Sequence, residues 1–228
     1  MLKGIIPVSV SARLTRNCKK STPVFVSGRL LSLMTLGKDN EGLITRREYL
    51  QYFTTLSIET DAVLIADGQT GFGNELSARM TVEELGNAGA KYLVINDQIW
   101  PSTSVKISGS IAKKIFINTV KAAIYGAEDY NLQVVPKLEG INEYGYSELL
   151  NRIQALLQLG ITQIIVSRSN KSDLLKLKQT AFFNHLGIAL DDRAISFTEA
   201  RELKPSFILP VRQTIDQIEK ADNEILSF

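Results

Sequence analysis

The stretch Asp67-Gly68-Gln69-Thr70-Gly71-Phe72-Gly73-Asn74 follows directly on the apolar run 62–66 and leads into an amphipathic pattern over Leu76–Ala88. A short buried strand that ends on a carboxylate, turns through three glycines and enters a helix is the βα half of a βαβ unit. Gly68, Gly71 and Gly73 allow positive φ and close approach of a ligand to the backbone. No Gly-Lys-Ser/Thr follows, so the turn is not a phosphate-binding P-loop. A tight βα turn and a ligand-cradling loop both fit this pattern.

Working outward, the same unit recurs along the chain. Strands are expected at Ile5–Val8, Pro23–Ser27, Ala62–Asp67, Tyr92–Asn96, Gln133–Leu138, Gln163–Ser167, His185–Leu190 and Ser206–Pro210. Each is a short continuous apolar run, as parallel strands buried on both faces require. Helical stripes lie between them: Leu76, Met80, Val82 and Leu85 in one, and Leu149, Leu150, Ile153, Leu156 and Leu157 in another. Gly160 and Ala88-Gly89-Ala90 stand where helix C-caps belong. Strand–helix alternation repeated about eight times means a parallel sheet with crossover helices. The even number and the absence of a middle break favour a (β/α)8 TIM barrel over an open α/β sheet, as a single domain over 1–228.

The bulk properties exclude several classes. The chain has 228 residues, 44% hydrophobic and 22% charged, with a formal net charge of +2. The basic spots Arg16–Lys20 and Lys171–Lys178 lack interleaved aromatics and read as solvated helix faces, so no nucleic-acid partner is expected. One cysteine, Cys18, and one histidine, His185, rule out a disulfide and a His/Cys zinc site. Cys18 reads as a small hydrophobe on a helix. No apolar window is long enough for a transmembrane helix, and no cleavable leader is completed before Arg13 and Arg16. A cytoplasmic protein with no membrane partner is the expectation.

In a barrel the chemistry sits at the C-terminal ends of the strands. Those ends read Ser27-Gly28-Arg29, Asp67-Gly68-Gln69-Thr70-Gly71, Asn96-Asp97-Gln98 and Lys137-Leu138-Glu139. Polar groups emerging from apolar strands at several ends exceed what solubility requires. The irregular stretch from Gln98 to Ser110 is either an active-site lid or an ordinary surface loop.

LIADGQTGFGNELSARMTVEELGNAGAKYLVINDQIWP, residues 64–101, resembles the phosphoenolpyruvate mutase/isocitrate lyase superfamily. That family reads D-x-D-T-G-[YF]-G-N, then R-x-V and A-G-A on a helix, then E-D-[QK]-x-x-P-K. Gly71-Phe72-Gly73-Asn74, Arg79, Val82, Ala88-Gly89-Ala90, Asp97-Gln98 and Pro101 match. VSGRLLSLMTLGKDNEGLIT, residues 26–45, and IPVSVSARL, residues 6–14, extend the resemblance toward the N-terminus. VVPKLEG, residues 134–140, continues it loosely, and it fades after Ser167.

The resemblance implies Mg²⁺ and a 2-oxo acid or its enolate at the strand ends, and C–C or P–C bond chemistry. Substrate contacts would fall to Ser27, Gly28 and Arg29, with Gln69, Asn96 and Asp97. Asp67 would be the metal ligand, and Asn40, Lys137 and Glu139 would stand at the catalytic positions. The chain departs from the pattern in one direction. Asn40, Gln69 and Asn96 replace carboxylates, keeping an acceptor oxygen and losing the charge. Lys137 replaces an arginine, giving charge without a bidentate fork. Each lost carboxylate removes about 4 kcal/mol of attraction per unit charge at ~4 Å and a dielectric near 20, doubled for a dication, before desolvation offsets part. A weakened Mg²⁺ site is therefore expected. PSTSVKISGS, residues 101–110, has no K-[KR]-C-G-H, so isocitrate and methylisocitrate cleavage are not expected.

Two readings follow. One is a divergent lyase- or mutase-like enzyme acting on a small carboxylate or phosphonate. The other is a non-catalytic anion-binding or regulatory barrel, with Arg29, Lys137 and Lys106 supplying positive charge. The loss of carboxylates fits drift as well as selection for a less anionic pocket. Ketopantoate hydroxymethyltransferase shares the barrel style, but Thr70–Asn74 argues against it. The resemblance also implies a homo-oligomer, dimer or tetramer, in which the terminal helix Arg212–Leu226 docks on a partner or on its own barrel.

Overall fold

The computed structural model describes residues 1–101 and 109–227. Eight parallel strands run in one sheet: β1 (Gly4–Ile5), β2 (Pro23–Val26), β3 (Val63–Asp67), β4 (Tyr92–Asn96), β5 (Gln133–Leu138), β6 (Ile164–Ser167), β7 (Leu186–Ala189) and β8 (Phe207–Leu209). Their order is β1-β8-β7-β6-β5-β4-β3-β2, so each strand lies beside its sequence neighbour. The chain just past β1 closes the circle. Val8 bridges Phe25 in parallel, with Phe25 N–H donating to Pro7 O at 2.9 Å and Ser9 N–H donating to Phe25 O at 3.0 Å. The barrel expectation holds, and the open sheet is excluded.

The strands fall within a residue or two of their expected limits because their composition leaves little choice. Val24, Val26, Ile65, Leu93, Ile95, Ile164 and Ile165 are all buried, as parallel strands covered by helices require. The described helices are α1 (Ala12–Arg16), α2 (Gly28–Leu36), α3 (Arg46–Ile58), α4 (Glu75–Asn87), α5 (Lys113–Ala127), α6 (Ile141–Gln158), α7 (Lys171–Lys178), α8 (Phe197–Leu203) and α9 (Val211–Leu226). The α4 stripe needs correction. Its buried positions are Ala78, Thr81, Val82 and Leu85, while Leu76 and Met80 face solvent. α6 begins earlier than its apolar stripe because Gly145, at φ 77°, kinks two helical pieces together. Cys18 lies just past α1 rather than on it. α9 packs on its own barrel through Val211 and Ile215, while Ile225 and Leu226 at its end are exposed.

The glycines of the 67–74 turn serve the protein interior. A Cβ on Gly68 would lie 2.8 Å from Val94 O, and one on Gly71, at φ 78°, would lie 2.6 Å from the Ala78 Cβ. The first seats β3 against β4 and the second seats the turn against α4. Both uses bring Gln69 to the mouth.

Candidate active site at the barrel mouth

Asp67 ends β3 and is buried. Its Oδ2 accepts the Gly28 N–H at 2.9 Å and its Oδ1 accepts the Gln69 N–H at 3.1 Å. Its own N–H donates to the Tyr49 hydroxyl at 2.7 Å, which in turn donates to Val26 O at 2.6 Å. The α3 residue Tyr49 thus ties β2 to β3. Burial pushes the Asp67 carboxyl up to about 6, with Lys137 and the two amides opposing and Glu139 reinforcing.

Gln69 adopts φ 48°, a left-handed conformation that side chains other than glycine seldom take. Its side chain is fully buried, yet neither Oε1 nor Nε2 has a hydrogen-bond partner among the described residues, and neither does the Thr70 hydroxyl. The Gln69 Nε2 faces Gly28, 3.0 Å from where a Cβ on that glycine would stand. Buried amides without partners are rare, because each costs about 1–3 kcal/mol. The strained backbone and the unmet polar atoms coincide at one position, as they do at ligand sites. Across β4, the Asn96 Nδ2 donates to Glu41 Oε1 at 3.1 Å.

The opposite side of the mouth is ionic. Lys137 on β5 places its Nζ 2.6 Å from Glu139 Oε1 and 2.8 Å from Asp191 Oδ2. Ser167 at the end of β6 donates to the same Asp191 oxygen at 2.5 Å, and Arg168 Nε lies 3.2 Å from Glu139 Oε2. Burial alone would lower the Lys137 pKa. Asp191, Glu139, Glu41 and Asp67 outweigh it and hold the group well above the usual lysine range. It therefore stays an ammonium and cannot serve as an amine nucleophile for Schiff-base chemistry. Burial also opposes ionisation of Asp191, but Lys137 and Ser167 reverse this and keep its carboxyl below the usual range.

The expected site residues divide into those the fold gathers at the mouth and those it commits elsewhere. Asp67, Gln69, Asn96, Lys137 and Glu139 surround the mouth. Ser27 caps α2, its Oγ accepting the Leu30 N–H at 3.3 Å, and Asn40 caps the short turn Glu41–Leu43 through the Gly42 N–H at 3.0 Å. Gly28 spends its N–H on Asp67. Arg29 is paired to Asp39, with Nη2 2.7 Å from Oδ2, and donates to the Asp191 carbonyl, so it is no free anion clamp. Asp97 is a correction. It is fully buried, its Oδ1 accepting the Glu139 N–H at 2.8 Å and its Oδ2 accepting the Tyr144 hydroxyl at 2.9 Å and Arg152 Nη1 at 3.2 Å. Both of its oxygens are taken, so it is a framework carboxylate behind Glu139 rather than a substrate contact.

The charge count is a second correction. Counting only the strand ends up to β5 leaves the pocket poor in carboxylates. The structure adds Glu41 and Asp191 to Asp67 and Glu139, four buried acids in all. Asp191, Ser167 and Arg168 follow β7 and β6, where continuing the strand-end reading along the chain finds them. Lys106, Ser102 and the centre of the Gln98–Ser110 stretch lie outside the described residues. Its stems pair antiparallel at Gln98 and Ser110.

No protein-family model matches the chain. Among curated proteins it is similar to 2,3-dimethylmalate lyase of Eubacterium barkeri, 24% identical over 160 residues, covering 69% of this chain and 55% of that one. It is also similar to oxaloacetate decarboxylase of Bradyrhizobium diazoefficiens, 26% identical over 188 residues, covering 82% and 64%. It thus spans a little over half the length of these relatives. Solved structures share its fold. Oxaloacetate acetylhydrolase with 3,3-difluorooxalacetate aligns at a TM-score of 0.83 and 17% identity, covering 98% of this chain and 80% of that one. 2,3-Dimethylmalate lyase, described as a PEP mutase/isocitrate lyase superfamily member, aligns at 0.77 and 18% identity, covering 99% and 81%. The chain is thus similar in sequence and in fold to members of the PEP mutase/isocitrate lyase superfamily. Within that superfamily, phosphonopyruvate hydrolase has been solved with oxalate and Mg²⁺, at a TM-score of 0.74 and 17% identity, covering 99% of this chain and 82% of that one.

The donor set here was tested against such an ion. Mg²⁺ requires several hard oxygens converging at about 2.0–2.1 Å. Among the described residues, no group of three or more His, Cys, Asp or Glu converges in that way. Glu139 and Asp191 converge on an ammonium instead, and each Asp67 oxygen accepts a backbone N–H. The described residues do not fit the group.

Proposed function

We propose that the barrel mouth binds a small 2-oxo carboxylate, and that the chain is a divergent lyase- or mutase-like enzyme acting on a bond next to that carboxylate. The observation that carries this reading is Gln69. A fully buried amide with neither atom partnered among the described residues, held at φ 48° beside Asp67 and Gly28, suits a ligand with acceptor oxygens and a polar edge. Lys137 supplies a fixed positive charge from across the mouth, and Glu139 keeps it protonated. Breaking a bond next to a 2-oxo carboxylate leaves an electron pair on an enolate oxygen, which a preorganised cation stabilises. The relative named for oxaloacetate, a 2-oxo dicarboxylate, supports this substrate class, and the one named for 2,3-dimethylmalate supports a small carboxylate more broadly. The absence of a Cys-Gly-His sequence within residues 101–110 argues against isocitrate and methylisocitrate cleavage.

A second reading, an anion-binding barrel without catalysis, draws on Asn40, which stands at a family-implied catalytic position and here caps the turn Glu41–Leu43 through the Gly42 N–H. Melting curves with oxalate, pyruvate, oxaloacetate and phosphonopyruvate, followed by NMR of each mixture, separate the two. A ligand at a hundred times its Kd raises Tm by roughly 5–10 °C in a protein of this size. The enzyme reading expects that rise with oxalate, and disappearance of at least one 2-oxo acid. A rise without turnover supports the binding barrel, and no rise across the panel sinks both.

A further inference from the structure

The retained half of the metal motif and the position of Lys137 contradict one another. Asp67, Glu41, Glu139 and Asp191 are the kind of carboxylate collection that a divalent ion is expected to bind, and all four are buried. Yet Lys137 is already among them. Its backbone is fixed in mid-sheet, paired to Asn96 of β4 on one side and Ile165 of β6 on the other. From that anchor its nitrogen reaches Glu139 at 2.6 Å and Asp191 at 2.8 Å. These are ammonium–carboxylate distances, and an Mg²⁺ ion at the same spot needs its oxygens more than half an ångström closer. Moving the ammonium aside would leave a buried cation unpaired, which costs several kcal/mol.

We propose that the Lys137 ammonium is the resident cation of this mouth, and that the mouth binds a 2-oxo carboxylate or its enolate without a divalent metal. An ammonium has three N–H donors. Its nitrogen lies at ion-pair distance from Glu139 and Asp191, and a donor not directed at either carboxylate can reach an oxygen of the ligand. Ser167 and Arg168 hold those two carboxylates from behind, so the ammonium does not turn when a ligand arrives. Gln69 provides the second anchor with its Nε2, which has no partner among the described residues. Gln69 in place of a metal-binding carboxylate removes a ligand from the ion, while Lys137 keeps the single charge of the arginine it replaces and brings it to Glu139 and Asp191 as a compact ammonium. The inference rests on the reading of the mouth as a carboxylate site.

Oxalate, a planar dianion shaped like the enolate of a 2-oxo acid, is the probe. Calorimetric titration is run on EDTA-stripped protein, once with EDTA present and once with excess Mg²⁺. The two affinities are expected to agree to about twofold, and Lys137→Gln is expected to weaken oxalate by about 30-fold or more while Lys137→Arg stays within about tenfold. Electron paramagnetic resonance of Mn²⁺ gives an independent readout. Wild-type protein is expected to leave the spectrum of Mn²⁺ with oxalate as it is without protein, and Lys137→Gln to acquire a protein-bound signal as Glu139 and Asp191 are freed. A Mg²⁺-dependent gain of about tenfold or more in oxalate affinity, or bound Mn²⁺ in the wild type, overturns the inference and leaves the carboxylate site standing. No oxalate binding in either arm overturns both. The wild-type comparison decides even where Lys137→Gln does not fold.

Discussion

On the β5–β7 side of the mouth, Lys137, Glu139, Asp191 and Arg168 hold one another at 2.6–3.2 Å, whereas on the β3 side Gln69 and Thr70 are as deeply buried with no partner among the described residues. Both sides rise from the same kind of apolar strand and are covered by the same kind of helix, so the fold does not account for the contrast. The ionic side is held by mutual charge and keeps its geometry without a ligand, although Glu139 Oε1 meets Lys137 as an ion pair and not as a directed hydrogen bond. The amide side carries an unmet hydrogen-bonding cost that only an incoming polar group or ordered water removes. Preorganised charge facing unmet hydrogen bonds is the division of labour expected where one side fixes an anion and the other selects its shape.

The sharpest way to break the contrast is to unpair the ionic side. Lys137→Met keeps the length of the side chain and removes the charge, leaving Glu139 and Asp191 facing one another. Losing one partner of a buried pair costs about 3–5 kcal/mol, and urea unfolding is expected to show a loss in that range. A combined Lys137→Met, Asp191→Asn variant is expected to recover part of it, since one of the stranded charges is gone. A loss below about 1 kcal/mol for the single variant would mean that water already screens the cluster and that this side is no more fixed than the other.

How much of this was legible in the sequence follows from the same contrast. The eight strands are apolar runs whose burial on both faces leaves one conformation, so composition alone places them. Asp67, Gln69, Asn96 and Lys137 announce themselves as polar residues at the ends of such runs. Asp191 does not. It lies 54 positions beyond Lys137 (191 − 137) in Asp191-Asp192-Arg193, which reads as a solvated turn. Only the barrel's curvature turns the end of β7 toward that of β5, with β6 between them. Glu41 hides for a related reason, since a 3-10 turn capped by Asn40 carries it inward, and spacing in an irregular segment predicts no direction. Arg29 was legible as a cation, but its pairing to Asp39 depends on a loop path that no periodicity describes. Asp97, read from its place beside Asn96, turns out to serve Arg152 and Tyr144 because β-strand alternation sends adjacent side chains to opposite faces.

Asp67 stands between the two sides and titrates accordingly. Its folded pKa is about 6 against 3.8 for an ordinary aspartate. The folded protein therefore holds this proton more tightly than the unfolded chain does. Its contribution to stability is fully present below about pH 4 and is lost as pH rises through 6. The whole change is worth about 3 kcal/mol at most. Asp67→Asn does not titrate, so the stability difference, variant minus wild type, is expected to shift in the variant's favour across that window and to level off above it. Guanidinium melts from pH 4 to 7.5 check this. A flat difference would mean that Lys137 and the two backbone amides already compensate for the burial of Asp67, placing it with the satisfied side.

The smallest effect on stability is expected on the unsatisfied side, and it runs opposite to the first. Gln69→Leu exchanges an amide for an apolar group of similar volume at the same backbone angles, so no cavity opens and no new strain enters. Removing a buried polar group that has no partner recovers its desolvation cost, and the variant is expected to match the wild type or gain about 1 kcal/mol in urea unfolding. Binding should move the other way. Oxalate affinity is expected to fall by about tenfold, the worth of one good hydrogen bond to a charged ligand. Unfolding curves and oxalate titration of the one variant therefore report opposite signs. A variant that loses both stability and affinity would show that ordered water already satisfies the Gln69 amide. The two sides of the mouth would then differ only in whether their partners are charges or water.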